Sequence, residues 1–224
     1  MFKNILKKIL KSVPYATASY SQEGEDLILN KILGGKRNGF YIEVGCHHPY
    51  RFSNTFFFYR RGWSGVCIDP LPGTKKLFSR ARPRDIALEN GISVIPGNLT
   101  YYMFNEPALN TFDKTIAKDR DDKNGYRIIK ERLISTDTLK TILDGLSIPK
   151  EIDFFSIDVE GLDLEVLKSN DWNKYNPRLV LDEVLNDKFS EIKSDLVSQY
   201  LSTVGYEPYA KTGLSVIFKK NKYE

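Results

Sequence analysis

"FYIEVGCHHPYRFSNTFFFYRRGWSGVCIDP", residues 40–70, decides the reading of the whole chain. Its opening "FYIEVG" is apolar and β-rich around a single glutamate, too short for a helix, and reads as a buried strand. "SNTFFFYRRG" is a candidate helix closed by Gly62, and "WSGVCIDP" is a second buried strand. A strand, a helix and a strand in close succession form a crossover unit, the arrangement that parallel strands require.

The same alternation continues toward the C-terminus. "PGTKKLFSRA" reads as a helix with Pro72 near its start, and "RDIAL" as a short strand. "ISVIP" and "LTYYMF" are extended pieces joined by a turn at Pro96-Gly97-Asn98. Residues 105–126 are polar and end in the charge run "KDRDDKNGY", the pattern of a solvated loop. Then come "YRIIKERLIS" as a strand, "STDTLKTILDGL" as a helix, "EIDFFSID" as a strand and "LDLEVLKS" as a helix. "PRLVLDEV" is a further buried strand and "DKFSEIKSDLVSQYLSTVG" a long helix. The last two strands, "YEPYA" and "SVIFK", are joined too closely for a crossover and are therefore antiparallel. On the N-terminal side, "SYSQEGEDLILNKILGG" reads as a helix with Ser21 as N-cap and acidic residues in its first turn. The expectation is an α/β chain: a mainly parallel sheet, helices on both faces and an antiparallel C-terminal strand. Residues 1–14 read as an amphipathic helix preceding a single domain over 15–224.

Composition narrows the function classes. Of 224 residues, 33 are basic and 29 acidic, giving a net charge of +4, too balanced for the basic stripe of a nucleic-acid binder. Two cysteines, Cys46 and Cys67, form no disulfide framework and no metal-binding pair; they read as buried thiols in a reducing, cytoplasmic setting. No apolar run reaches the ~18–20 residues of a membrane span. In "MFKNILKKILKSV", Phe2, Ile5, Leu6, Ile9, Leu10 and Val13 recur at helical spacing opposite Lys3, Lys7, Lys8 and Lys11. That pattern suits peripheral contact with anionic lipid at the inner membrane face, and equally a terminal helix docked on its own domain.

In an open parallel sheet, ligands bind beyond the carboxyl ends of the strands. Four strands end in carboxylates: Glu43 before Gly45, Asp69, Asp158 with Glu160, and Asp182 with Glu183. Gly45 allows close backbone approach, and Asp69, some twenty residues on, is placed to accept from ribose hydroxyls. The glycine-rich fingerprint that cradles a pyrophosphate is missing, which argues against NAD or FAD. S-adenosylmethionine, which has no phosphate, fits instead, with Glu43 and nearby backbone at its amino-acid and sulfonium end.

At "SQEGEDLIL", "FYIEVGCHHPYRFSNTFFFYRRGWSGVCIDPLPG", "RPRDIALENGIS", "EPALNTFDK" and "IDFFSIDVEGLDLEVLKSNDW" the chain resembles the FkbM family of S-adenosylmethionine-dependent methyltransferases. The likeness runs in order from about residue 19 to 184, and "IDVEG" and "SNT" carry most of it. It implies a Rossmann-like class I methyltransferase fold and O-methylation of sugars or related hydroxyl-bearing compounds. It also implies that Glu43 and Gly45 line the cofactor site, that Asp69 binds the ribose, and that Asp85 and Ile86 border the adenine. The family more often has a small residue and Asn where Cys46 and His47 stand here.

Both histidines of the chain, His47 and His48, fall in the loop after the first strand. A sugar hydroxyl is a poor nucleophile, so an O-methyltransferase must hold it in line and take its proton. Asp158 and His48 are the expected catalytic groups. A divalent cation, Mg2+ or Mn2+, could assist by lowering the hydroxyl's pKa, with Asp158, Glu160, Asp182 and His48 as its ligands. Glu160 could instead cap the following helix, and a histidine before proline often serves a turn. Ser53 and Asn54 are expected to cap their helix and touch the cofactor tail, and Tyr101, Asn110 and Thr111 to wall the acceptor pocket. The expected acceptor is a sugar or glycan, free or lipid-linked. Two rival readings use the same residues: a metal-dependent hydrolase on the carboxylate rim, or a membrane-surface adaptor working through residues 1–13.

Overall fold

The computed structural model describes residues 16–184 and 189–221. The N-terminal helix expected over 1–14 lies outside them. The first half of the described chain contains α1 (Glu25–Ile32), β1 (Phe40–Val44), α2 (Phe56–Tyr59), β2 (Ser64–Ile68), α3 (Thr74–Ala81) and β3 (Ile86–Leu88). Next come β4 (Gly91–Ile92), β5 (Gly97–Phe104), α4 (Lys114–Arg120) and β6 (Ile128–Asp137). The remainder is α5 (Leu139–Asp144), β7 (Phe154–Ile157), α6 (Asp163–Lys168), β8 (Leu179–Glu183), α7 (Leu196–Thr203), β9 (Tyr206–Lys211) and β10 (Ser215–Lys220).

Seven strands form one sheet in the order β3-β2-β1-β7-β8-β10-β9. All neighbours from β3 to β8 pair in parallel, and β10 runs antiparallel to both β8 and β9. This is the Rossmann-like class I arrangement. Side-chain alternation along β1 splits the core: Phe40, Ile42 and Val44 pack with residues of α5, α6 and α7, whereas Tyr41 packs with residues of α1, α2 and α3. Helices therefore cover both faces, and the sheet is buried on each. Trp63, Phe58 and Phe154 are fully buried in the second cluster, their rings tilted against one another.

The chain begins this sheet in the middle. It runs outward through β2 and β3, then returns to β7 on the other side of β1, so strand order reverses between β1 and β7. The stretch between β3 and β7 builds a second sheet in the order β4-β6-β5. The two extended pieces expected as neighbours, β4 and β5, do not pair: β6 lies between them, parallel to β4 and antiparallel to β5. The turn at Pro96-Gly97-Asn98 joins strands separated by a third, which no local signal reveals.

Several helices differ from their expected bounds for local reasons. The N-cap of α1 is Gly24 in the left-handed region rather than Ser21, whose hydroxyl instead pairs with Asp26. The polar stretch 105–126 is ordered by a 3-10 turn at Pro107–Leu109 and by α4, which Asp113 caps through Thr115 N and Ile116 N. The long helix expected before β9 is broken: a 3-10 segment covers Phe189–Ser194, and Asp195 caps a separate α7.

Candidate active site

The reversal point of the sheet opens into a cavity of 410 Å³, within the usual range for small-molecule sites. Gly45 at the end of β1 lies against the backbone of the strand-end residue Asp158. A Cβ there would stand 1.6 Å from the Asp158 carbonyl oxygen, and its φ is +80°, so only glycine is compatible with this junction. The next loop turns over the end of β2. The His47 amide donates to Asp69 Oδ2 at 2.7 Å and the Leu71 amide to Asp69 Oδ1 at 2.8 Å. Each carboxylate oxygen keeps a free lone pair, and Asp69 lines the cavity. Burial holds its pKa up at about 6. Ile68, Pro70, Asn90 and Ile92 complete this end of the wall.

The other end is acidic. Oxygens of Asp158, Glu160 and Glu183 lie within 4.8 Å of one another. Burial raises the proton affinity of all three; repulsion by Glu183 and Glu160 adds to it at Asp158, repulsion by Glu160 at Glu183, and Arg120 opposes it at Glu160. Oδ1 of Asp158 is buried with no hydrogen-bond partner among the described residues. Arg120, at the end of α4, reaches in to Glu160 at 2.6 Å. Across the mouth, Arg51 forms a two-pronged pair with Glu106 at 2.8 and 3.1 Å, linking the loop after β1 to the 3-10 turn that Glu106 caps.

Among the described residues, five non-glycine residues have positive φ: His47, Phe52, Asp122, Asn124 and Glu160. Asp122 and Asn124 are of the types that tolerate it, in the loop after α4. His47, Phe52 and Glu160 all line the cavity, at a backbone cost of about 1–2 kcal/mol each. Strain is thus concentrated at the site.

Gly45, Asp69, Asp158 and Glu160 fall where expected. Others do not line the cavity. Glu43 is 4% exposed beneath the loop, on the opposite face of β1; it accepts from Thr55 Oγ1 at 2.6 Å and lies 3.9 Å from Arg82. Burial pushes its pKa up to about 7, against the opposing pull of Arg82. Asp85 precedes β3, at the end of that strand remote from the rim. There it pairs with the fully buried Arg82 at 2.6 Å and accepts from Tyr41 and Gly65. Ile86 packs against the core. Asn90 and Ile92, beyond the other end of β3, line the cavity instead. The N-cap of α2 is Thr55; Ser53 accepts from Phe56 N and contacts Arg82, and Asn54 donates to Ser156.

His48 serves the turn: its Nδ1 accepts from the Tyr50 and Arg51 amides, both at 3.1 Å, and its ring does not line the cavity. His47 does, and burial with the neighbouring Arg51 charge keeps it neutral more readily than a free imidazole. Asp182 is fully buried, with neither oxygen partnered among the described residues, and stands apart from the acidic triad. Consecutive residues of a strand face opposite ways, and Glu183 is the one that reaches the cavity. Glu160 does not take the helix-start role considered for it: the N-cap of α6 is Leu162 with no side-chain cap, and Asp163 accepts from Val159 N and Gly161 N of the preceding turn. Tyr101 and Asn110 line the cavity; Thr111 does not, donating instead to the Glu160 carbonyl. Arg51, Phe52, Glu106 and Arg120 were not singled out, because they come from a turn and from a stretch that reads as solvated.

A family model, the methyltransferase FkbM domain, matches residues 43–208. No curated protein matches the chain. Among solved structures, the Burkholderia thailandensis 1,6-didemethyltoxoflavin-N1-methyltransferase with bound 1,6-didemethyltoxoflavin and S-adenosylhomocysteine is 10% identical, with a TM-score of 0.46. That match covers 88% of this chain and 77% of the other. A TehB-like SAM-dependent methyltransferase from Corynebacterium glutamicum ATCC 13032 Kitasato is 9% identical with a TM-score of 0.43, covering 98% of this chain and 97% of the other. At such low scores neither likeness bears on the site.

Proposed function

The chain belongs to the FkbM methyltransferase family, and from that premise we propose that it transfers a methyl group from S-adenosylmethionine to a hydroxyl of a sugar or glycan. The observation that supports this reading is one cavity holding two chemically distinct ends, Gly45 with Asp69 and the triad of Asp158, Glu160 and Glu183. The residues fit the cofactor. Asp69 retains lone pairs for the ribose hydroxyls, Ile68, Pro70 and Ile92 offer apolar walls for a base, and no phosphate cradle is present among the described residues to demand a dinucleotide. Bound there, the cofactor supplies an electrophilic methyl on a sulfonium.

The chain's own residues do the rest. As the acceptor oxygen takes the methyl, its hydroxyl proton would pass to a carboxylate of the triad. Asp158, with its unpartnered buried oxygen, is the base in this scheme. Asp158, Glu160 and Glu183 would also hold Mg2+ or Mn2+, hard cations that oxygen donors favour and that lower the pKa of a bound hydroxyl. The basic amphipathic pattern of residues 1–13 supports an acceptor that is lipid-linked and met at the cytoplasmic face of the membrane.

Thermal melts with S-adenosylhomocysteine test the core of the proposal. At ~100 times its dissociation constant, a ligand adds roughly 2.7 kcal/mol, a rise of about 5–10 °C for a chain of this size. Enlargement by Mn2+ and loss of that increment with EDTA or in Glu183→Gln support the cation. A shift indifferent to metal leaves Asp158 as an unassisted base. No shift at saturating nucleoside sinks the methyl-transfer reading and favours a hydrolase.

A further inference from the structure

Phe52 combines three properties that do not serve stability. It is 41% exposed, its φ is +55°, and it lines the cavity. A bulky residue in the left-handed region is strained, and an exposed ring recovers little by burial. The surroundings nonetheless impose the conformation. On one side His48 Nδ1 accepts the Tyr50 and Arg51 amides; on the other, Ser53 N donates to the Tyr20 carbonyl at 3.0 Å. Arg82 anchors the Pro49 carbonyl and the Ser53 hydroxyl from beneath. Arg51, clamped to Glu106, sets its guanidinium 4.3 Å from the Phe52 ring centroid. One face of the ring is therefore occupied by a fixed cation.

The cavity that Phe52 lines also carries Gln22, the Arg51–Glu106 pair and Tyr126, itself 38% exposed. Planar amide and charged groups beside an aromatic plate match a pyranose, whose hydroxyls lie at its edge and whose C–H bonds form an apolar face. Five carboxylates line the cavity, Asp69, Glu106, Asp158, Glu160 and Glu183, against two arginines that are already paired with Glu106 and Glu160. Where no cation sits on the triad, an acidic sugar or a phosphate would meet repulsion from this lining.

We propose that Phe52 is the aromatic platform of an acceptor subsite at the cavity rim, taking the apolar face of an uncharged pyranose ring. This rests on the glycan reading above and names the part of the acceptor that the rim selects.

Glycine adopts the Phe52 backbone without strain, so Phe52→Gly separates platform from scaffold. The full chain, saturated with S-adenosylhomocysteine, is applied to an array of neutral and acidic pyranosyl oligosaccharides. Wild type is expected to bind neutral members. Phe52→Gly should bind them about ten-fold more weakly or worse, Phe52→Trp should retain binding, and both should melt no lower than wild type with unaltered nucleoside affinity. Equal glycan binding by Phe52→Gly, a fall in its melting temperature together with nucleoside affinity, or preference for acidic members would overturn the proposal. Nucleoside binding by wild type with no oligosaccharide captured removes the glycan reading itself, and the platform with it.

Discussion

Glu43 and Arg82 show how much of the site's order comes from residues that never reach the cavity. Arg82 is wholly buried, donates to Tyr41 and Thr55 at 2.8 Å, and balances Glu43 and Asp85. Removing one partner of such a network strands the others, so Arg82→Met should cost about 3–5 kcal/mol, read by chemical denaturation. Adding Glu43→Gln and Asp85→Asn should recover part of that loss; no recovery would mean the arginine acts through packing alone. Glu43 makes a separate prediction about pH. Its folded pKa of about 7 lies above its ordinary 4.5, so the folded state holds a proton that the unfolded state has released. Stability from this group therefore falls as pH rises through that window. The melting temperature of Glu43→Gln, relative to wild type, should climb between pH 4.5 and 7; a constant difference would refute it. Legibility at this scale was uneven. Gly45 and Asp69 were readable because a strand end followed by a tight turn restricts what can stand there. Asp182, expected as the ligand, gives way to Glu183, because strand parity at the rim depends on neighbours that the local sequence does not name. His47 and His48 pose the same difficulty: a turn spends one imidazole on amides and leaves the other to the cavity.

At the level of elements, α4 deserves a direct test because it delivers Arg120 to Glu160 from a stretch whose composition reads as solvent-facing. Asp113 caps it at 2.6 and 3.0 Å, so Asp113→Ala should cost about 1 kcal/mol, or about 2–4 °C of melting temperature. A loss confined to stability would show that Arg120 is placed by tertiary contacts alone; a parallel loss of acceptor affinity is the expected result. Strands are legible because β1, β2, β7 and β8 are short, largely apolar runs, the mark of strands covered on both faces. Helix ends were less so. Gly24 caps α1 without a side chain, and Asp195 interrupts what periodicity alone presents as one helix. The pairing of β4 with β6 was beyond reach, since two residues of strand leave no periodic signal.

Over the whole molecule, charge is segregated. The chain carries +4 overall, yet the cavity lining holds five carboxylates and two arginines. A cationic sulfonium should be drawn to it, and its neutral thioether product less so. Raising salt should therefore weaken S-adenosylmethionine binding more steeply than S-adenosylhomocysteine binding, measured by calorimetry at low and high ionic strength. Equal slopes would show that the carboxylates carry protons in the free protein. The sheet order was foreseeable in kind, parallel with one reversed strand, because alternating elements admit few topologies. The inserted second sheet has a different consequence. Asn90, Ile92, Tyr101, Glu106, Arg120 and Tyr126 all come from one uninterrupted stretch between β3 and β7, whereas Gly45, Asp69, Asp158 and Glu183 belong to the ends of the seven-stranded sheet. In the proposed scheme part of the acceptor wall thus lies on a contiguous insert, and the residues assigned to the methyl donor lie on the frame and its border at Asn90 and Ile92. Descendants of such a protein could rewrite residues 97–137 as a block, reshaping that wall while the residues assigned to the methyl donor are kept.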